Sequence, residues 1–368
     1  MRSKAIFEVN INSFKKNLEL IQKQCSQSEL LLMVKANAYG HGAIPITQYA
    51  IEAGVKSFGL ATMQEAVELR DKNPDPSIEF YVFSETELDK LELWKKKYLD
   101  LQIIPVIENL DELERVALDQ DLSKVKIALK VNIGMNRFGI KKHEINRVCE
   151  ILKKYKRDIY HLIGHLPCSP DLKKVNETKE QIDLFNNMKK EIEDYGVDIG
   201  HCSVSNSGAI ERGLGLDYDF VRPGLLAYGC LSTKDNPMGW KGSIISSLKA
   251  KPLKTFPIKK GELFGYGSSP SPDDGHVVVI PLGYADGLTQ NYSNVEFKCG
   301  DKAGRLIGYV NMDVCFLLFQ DAYKQGGWIE VWGSSSQDFA RLAKTTKIIT
   351  YQLLCQISSR VPRFYKMS

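Results

Sequence analysis

The sequence predicts an α/β fold, an N-terminal (β/α)8 barrel of the TIM type over residues 1–242 followed by a mainly β domain over residues 243–368. Apolar strand-like runs alternate with helix-patterned segments through the first two thirds of the chain, at intervals of about 20–40 residues. No G-x-G-x-x-G follows the first run, which weighs against an open dinucleotide-binding sheet. Beyond Gly242 the long helical patterns stop, and short strands punctuated by Gly and Pro take over.

The elements follow in order. A short opening strand, Ala5–Ile11, leads into a helix. The barrel strands are then Leu30–Val34, Ser57–Ala61, Glu79–Phe83, Leu101–Val106, Lys126–Val131, Ile159–Gly164, Asp198–Val204 and Phe220–Arg222. Ala66–Leu69, Glu85–Lys97, Asn109–Leu118, His143–Tyr155 and Glu177–Tyr195 carry helical patterns between them. Eight strands in such alternation are the signature of a closed parallel barrel. Leu231–Gly242, with Pro237, reads as the boundary. After it come strands Ile244–Ala250, His276–Pro281, Ala303–Tyr309, Val314–Phe319 and Trp328–Trp332, and one helix around Gln337–Ala343.

With 368 residues, 43% hydrophobic and 26% charged, the composition is that of a soluble enzyme with more than one core. The net charge of +4 is spread along the chain, and Lys95-Lys96-Lys97 sits beside acidic residues. It reads as a solvated helix face, so no nucleic-acid partner is expected. The amino terminus lacks the apolar stretch of a signal peptide, and no run approaches the roughly 18 apolar residues of a membrane span. The eight cysteines form no C-x-x-C pair and read as reduced thiols, which suits the cytoplasm. His161 and His165 could share one strand face, but no further ligand pair joins them, so no metal site is expected.

In such barrels chemistry collects at the C-terminal ends of the strands. Lys35 ends the first barrel strand, behind Leu30-Leu31-Leu32-Met33-Val34. An amine walled by apolar residues loses hydration, favours its neutral form and becomes a carbonyl nucleophile. Lys130 lies near the end of the fifth strand, with Arg137 just beyond it, and His165 ends the sixth. Ser205-Asn206-Ser207-Gly208 follows the seventh strand, where small residues can cradle phosphate. Arg222-Pro223-Gly224 ends the eighth. An amine and a phosphate cradle on one rim are what a phosphorylated aldehyde cofactor needs.

Nine segments extend this into a family likeness: Val34–Gly42, Lys130–Gly139, Gly164-His165-Leu166, Asn206-Ser207, Val221–Gly229, Phe264–Gly267, Gly283–Gly287, Met312-Asp313 and Ser359–Arg363. Each alone is weak, and each residue alone has an ordinary structural reading. Together, in order and nearly end to end, they resemble the alanine racemases, fold-type III pyridoxal-phosphate enzymes. The resemblance implies interconversion of L- and D-alanine, supplying D-alanine for peptidoglycan. Lys35 would hold pyridoxal 5'-phosphate as a Schiff base and act as one of two bases. Tyr266 would be the second, reaching the site of the other subunit of a homodimer. A phenol holds its proton too tightly to act unaided near neutrality, and a hydrogen bond with His165 would help it. Arg222 would face the pyridine nitrogen without protonating it. Tyr39, Ser207, Gly224, Leu225 and Tyr351 match phosphate-binding positions. Arg137 and the Met312 amide match substrate-carboxylate contacts, and Lys130 matches a position open to carbamylation, which would turn a cation into an anion that positions Arg137.

The chain departs from the pattern at Asn132-Ile133, Gln290, Tyr309, Asn311 and Gln352. These bear on substrate breadth, and a serine or broad-specificity racemase stays open. A sister decarboxylase would offer an acid to the pyridine nitrogen where this chain has Arg222. A single-barrel pyridoxal-phosphate carrier would lack the material after Gly242.

Overall fold

The apolar runs fold as strands buried on both faces. Leu31 points into the barrel with Tyr81, Val106, Ala128, Ile163 and Phe220, while Leu30 and Leu32 face the surrounding helices. The computed structural model describes every residue except 1, 2, 234, 235, 294, 322, 324–326, 334 and 368, and the side chain of 337.

The first part of the chain contains β1 (Ala5–Asn10), β2 (Glu29–Met33), β3 (Ser57–Thr62), β4 (Glu79–Glu85), β5 (Ile104–Ile107), β6 (Ala128–Lys130), β7 (Ile159–Ile163), β8 (Ile199–Ser203) and β9 (Phe220–Val221). Between them lie α1 (Ile11–Gln24), the short turn α2 (Lys35–Tyr39), α3 (Ala43–Glu52), α4 (Met63–Lys72), α5 (Leu91–Leu101), α6 (Leu110–Leu118), α7 (Ile145–Lys154), α8 (Val175–Asp194) and α9 (Ser207–Ile210). Strands β2 to β9 form one parallel sheet in the order β8-β7-β6-β5-β4-β3-β2-β9. A bridge between Asn206 and Arg222 brings β9 back beside β8, and the Arg222 amide donates to the Ser205 carbonyl at 2.9 Å. The expected barrel is therefore present.

The remainder contains β10 (Ser246–Ala250), β11 (Lys254–Ile258), β12 (Leu263–Phe264), β13 (Ser269–Pro270), β14 (Gly275–Ile280), β15 (Glu296–Cys299), β16 (Lys302–Ile307), β17 (Cys315–Phe319), β18 (Ile329–Trp332), α10 (Ser336–Thr346), α11 (Thr350–Cys355) and β19 (Arg363–Lys366). Nine strands make one sheet in the order β11-β14-β17-β16-β15-β18-β10-β1-β19. The opening strand β1 thus lies in the β domain, antiparallel to β10 and parallel to β19. The residue span 1–242 counts it with the barrel, whereas its hydrogen bonds are with the sheet. No helix among the described residues is long and apolar enough to cross a membrane.

Candidate active site

Strand β2 delivers Lys35 to the barrel mouth, and the next residues turn in an uncommon way. Ala36, Asn37, Ala38 and Tyr39 all have φ between 52° and 55°, one turn of left-handed helix without a glycine. Such a turn costs about 1–2 kcal/mol per residue, so the surroundings must enforce it. They do so from several sides. Glu65 accepts from the Ala36 amide at 2.7 Å, Asn37 Oδ1 accepts from the Ala43 amide at 2.7 Å, and Tyr365 Oη donates to the His41 carbonyl at 2.9 Å. At Gly40 (φ 81°) a Cβ would meet the Leu354 carbonyl oxygen of α11 at 2.3 Å. Burial lowers the Lys35 amine's pKa, and the Arg137 cation lowers it further, opposed by Glu65 and Cys355.

The turn aims Tyr39 inward. Its ring lies 4.8 Å from Tyr228 and 6.0 Å from Tyr351. A Cβ at Gly224 would fall 2.4 Å from the Tyr39 hydroxyl, so only glycine leaves that hydroxyl its place. Ser207 Oγ accepts from the Gly224 amide at 3.0 Å and the Leu226 amide at 3.2 Å, which leaves its own proton to donate. The Leu225 amide between them has no hydrogen bond among the described residues. These groups form a small polar cradle in an apolar wall.

Arg222 is buried at the end of β9. Its Nη1 donates to Ser203 Oγ at 2.5 Å, and Nη2 donates to the carbonyls of Gly164 (2.5 Å) and Val204 (3.3 Å). Ser203 is held in turn by His161 Nε2 at 2.8 Å. These bonds leave the Nε–H and one Nη1–H without a partner among them. Burial lowers the guanidinium to about 9, so it is still a cation at neutral pH. His165 is lowered to about 3 by burial and by Arg222, Lys130, Arg137 and Lys35, and its imidazole is therefore neutral.

Lys130 ends β6 buried, its Nζ 2.6 Å from Glu108 Oε1 at the end of β5. Arg137 is exposed on the loop that leaves β6 at Asn132 and returns at Ile140. Asn132 Oδ1 pins that loop by accepting from the amides of Gly134 (3.0 Å) and Asn136 (3.2 Å).

Of the β-domain candidates, Tyr351 packs beside Tyr39, whereas Tyr266 and Met312 make no such contact among the described residues. β12 and β13 pair as a hairpin whose tip carries Tyr266 between Gly265 (φ 60°) and Gly267 (φ 74°). Tyr266 is 76% exposed, and Met312 is 52% exposed, its amide unbonded among the described residues. Tyr309 stands beside Gly267, where a Cβ would meet its ring at 3.0 Å. Within one chain the structure brings together Lys35, Tyr39, Ser207, Arg222, Gly224, Leu225 and Tyr351. It leaves Tyr266 and Met312 apart from them, and no hydrogen bond joins Tyr266 to His165 among the described residues.

Two matched segments cover this whole framework. Residues 9–232 match the alanine racemase N-terminal domain and residues 245–365 the alanine racemase C-terminal domain. The chain belongs to the alanine racemase family. It is similar to the alanine racemase of Borreliella burgdorferi (strain ZS7), 28% identical over 374 residues that cover 99% of this chain and 98% of that protein. It is 29% identical to that of Treponema denticola, over 97% of each chain. Among solved structures, an alanine racemase from Acinetobacter baumannii superposes with a TM-score of 0.85 at 25% identity, over 99% of this chain and all (100%) of that one. One from Streptomyces coelicolor A3(2) gives 0.89 at 22% identity, over 99% and 98%, and likens the fold alone.

Four residues of this alanine racemase fold escape sequence reasoning at the site. Glu108 follows an apolar strand, so the strand-end rule that found Lys35 could have found it. Glu65 is hidden as the N3 residue of a capping box on α4. Arg363 lies inside a quoted motif but gives no sign of its partners, and Cys355 is legible only once α11 is in place.

Proposed function

We propose that this chain is a pyridoxal-phosphate-dependent alanine racemase, interconverting L- and D-alanine with two bases at sites shared across a homodimer. What supports this above all is the Lys35 amine, desolvated at a barrel mouth that also holds the cradle of Tyr39, Ser207, Gly224 and Leu225. The fit is chemical. Hydroxyls and a free amide suit a phosphate, the amine suits an aldehyde, and the Arg222 Nε–H suits a neutral ring nitrogen that accepts. When bound, pyridoxal phosphate would supply the electron-withdrawing ring that acidifies the alanine Cα–H.

The chain's own residues do the rest. Lys35 Nζ takes or returns the proton on one face of Cα, serving D-alanine. Tyr266 Oη of the neighbouring subunit serves L-alanine on the other face, and the neutral His165 imidazole can hydrogen-bond that phenol. Its exposure at a hairpin tip is the feature that favours this reading, because an apolar side chain with a reactive hydroxyl is left without a partner. Arg137 and the Met312 amide hold the carboxylate. Arg222, a buried cation with no carboxylate paired to it among the described residues, leaves the ring nitrogen unprotonated, which favours returning the proton to Cα over transamination or decarboxylation. The described cysteines are all free thiols, which fits a cytoplasmic enzyme supplying D-alanine to peptidoglycan.

Borohydride treatment of protein loaded with pyridoxal phosphate should fix the cofactor to the peptide carrying Lys35. A panel of L-amino acids should yield D-alanine most rapidly. Label on another lysine, or no D-alanine formed, would defeat the assignment.

A further inference from the structure

Lys130 and Glu108 form a buried pair that the proposed racemase chemistry does not by itself require. Their side chains are 10% and 8% exposed, and Lys130 Nζ lies 2.6 Å from Glu108 Oε1. The two residues end adjacent parallel strands, since β5 pairs with β6 in the register Val106 with Ala128 and Ile107 with Leu129. A second carboxylate stands behind the first: the Glu108 amide donates to Glu112 Oε2 at 3.2 Å. The Phe138 ring, next to Arg137, has Lys130 Nζ at 5.2 Å and Arg137 Cζ at 5.5 Å from its centre. The loop that carries Arg137 thus rests through Phe138 on the Lys130 end of this pair.

Carbamylation of a lysine starts from the neutral amine. Nitrogen attacks carbon dioxide, a C–N bond forms, one proton leaves the nitrogen, and an N-carboxylate anion remains. In this chain the ammonium proton is shared with a carboxylate already in contact. The product would set a second anion against Glu108 in a site with little water to screen it. The tip of β6 carries Asn132 where an acid would add charge, so Glu108 is the carboxylate built into this corner.

We propose that Lys130 stays an unmodified ammonium in this chain, and that Glu108 is the positioning residue that supplies the buried negative charge on which the Arg137 loop is seated. This rests on the racemase reading for the role of Arg137, whereas the chemical state of Lys130 can be read without any activity. Burial draws the amine down and the carboxyl up from their ordinary values, each opposed by the other's charge.

The test is 13C NMR of the cofactor-loaded protein equilibrated with 13C-bicarbonate. Wild type should show no carbamate carbon. Glu108→Gln should acquire one, and the double variant Glu108→Gln with Lys130→Arg should lose it. Glu108→Asp, which keeps the charge, should stay silent and guards against misfolding as the cause. In carbon-dioxide-free buffer Glu108→Gln should raise KM for alanine roughly tenfold, the loss of about one charged hydrogen bond, with kcat less affected. Bicarbonate should restore that KM in Glu108→Gln and leave wild type unchanged. A wild-type carbamate signal that Lys130→Ala removes would overturn the proposal, as would a folded Glu108→Gln that stays silent. If no variant racemises alanine, the function fails while the NMR result still decides the state of Lys130.

Discussion

The Arg363 guanidinium donates through Nε to the carbonyl oxygen of Gly40 at 3.0 Å, tying the edge strand β19 to the left-handed turn after Lys35. Its other nitrogens reach the carbonyls of Ser358 (2.5 Å), Val361 (2.8 Å) and Ile357 (2.6 Å). One side chain so gathers four carbonyls and holds the turn after Lys35 in a conformation that its own sequence disfavours.

Arg363→Ala should destabilise the protein by about 2–3 kcal/mol, since bonds from a charged donor are lost together. Cofactor affinity should fall with it because Tyr39 closes the same turn. Arg363→Lys should recover less than half, for an ammonium cannot fork across four acceptors. Urea denaturation and cofactor titration check this. Unchanged values for Arg363→Ala would remove the bracing role.

Gly224→Ala tests the cradle. The added methyl would sit 2.4 Å from a hydroxyl whose ring is packed 4.8 Å from Tyr228, leaving it little room to retreat. The backbone there is not left-handed, so folding should survive while cofactor affinity drops at least roughly tenfold. Equal affinity in the variant and wild type would show that the phosphate binds elsewhere.

Acid should destabilise the protein through its buried histidines. His41 is held neutral, with Nδ1 donating to the Ala38 carbonyl at 2.9 Å and Nε2 accepting from Ser246 Oγ at 3.1 Å. Burial lowers it to about 4. Below about 6.5 the unfolded chain binds a proton that the folded chain refuses. Stability therefore falls by up to about 1.4 kcal/mol per pH unit between about 6.5 and about 4. His161, lowered well below its usual value by burial and by Arg222, steepens the loss. His41→Gln should flatten the slope of stability against pH in this window, as read by denaturant midpoints.

Mixing two inactive variants tests the shared site. Tyr266→Phe should keep the fold and the cofactor but stop proton exchange mainly with L-alanine. Co-assembled with Lys35→Ala, it should restore about one intact site per mixed dimer, because in the proposed dimer each site would draw its lysine and its tyrosine from different chains. Mixed dimers verified by mass yet inactive would exclude that arrangement.

Much of this was legible in the sequence where local pattern and burial agree. Leu30–Val34 and Ile159–Gly164 lie within a residue of β2 and β7, since an uninterrupted apolar run can satisfy itself only inside the barrel. Lys35, Ser207 and Arg222 could be placed on one rim because strand ends converge there. The left-handed turn was not legible. Its conformation is imposed by Arg363, Tyr365 and α11 from the far end of the chain, and nothing in Ala36-Asn37-Ala38-Tyr39 announces it. Strand β11 was also missed because Pro257 argues against a strand. It lies at the sheet edge, where a missing amide is tolerated. Glu108 needed β5 beside β6 before its contact with Lys130 had meaning.

The placement of β1 sets a constraint on the order of synthesis. Phe7 and Val9 are fully buried between β10 and β19, partners translated long after them. A nascent chain must therefore carry this apolar strand unmatched while the whole barrel emerges, exposed to chaperones and to neighbouring copies. The same arrangement closes the polypeptide into a loop of contacts. A protease nick between the two halves, in the segment around Pro237, would leave fragments still joined through the shared sheet, and they should elute together until denaturant parts them.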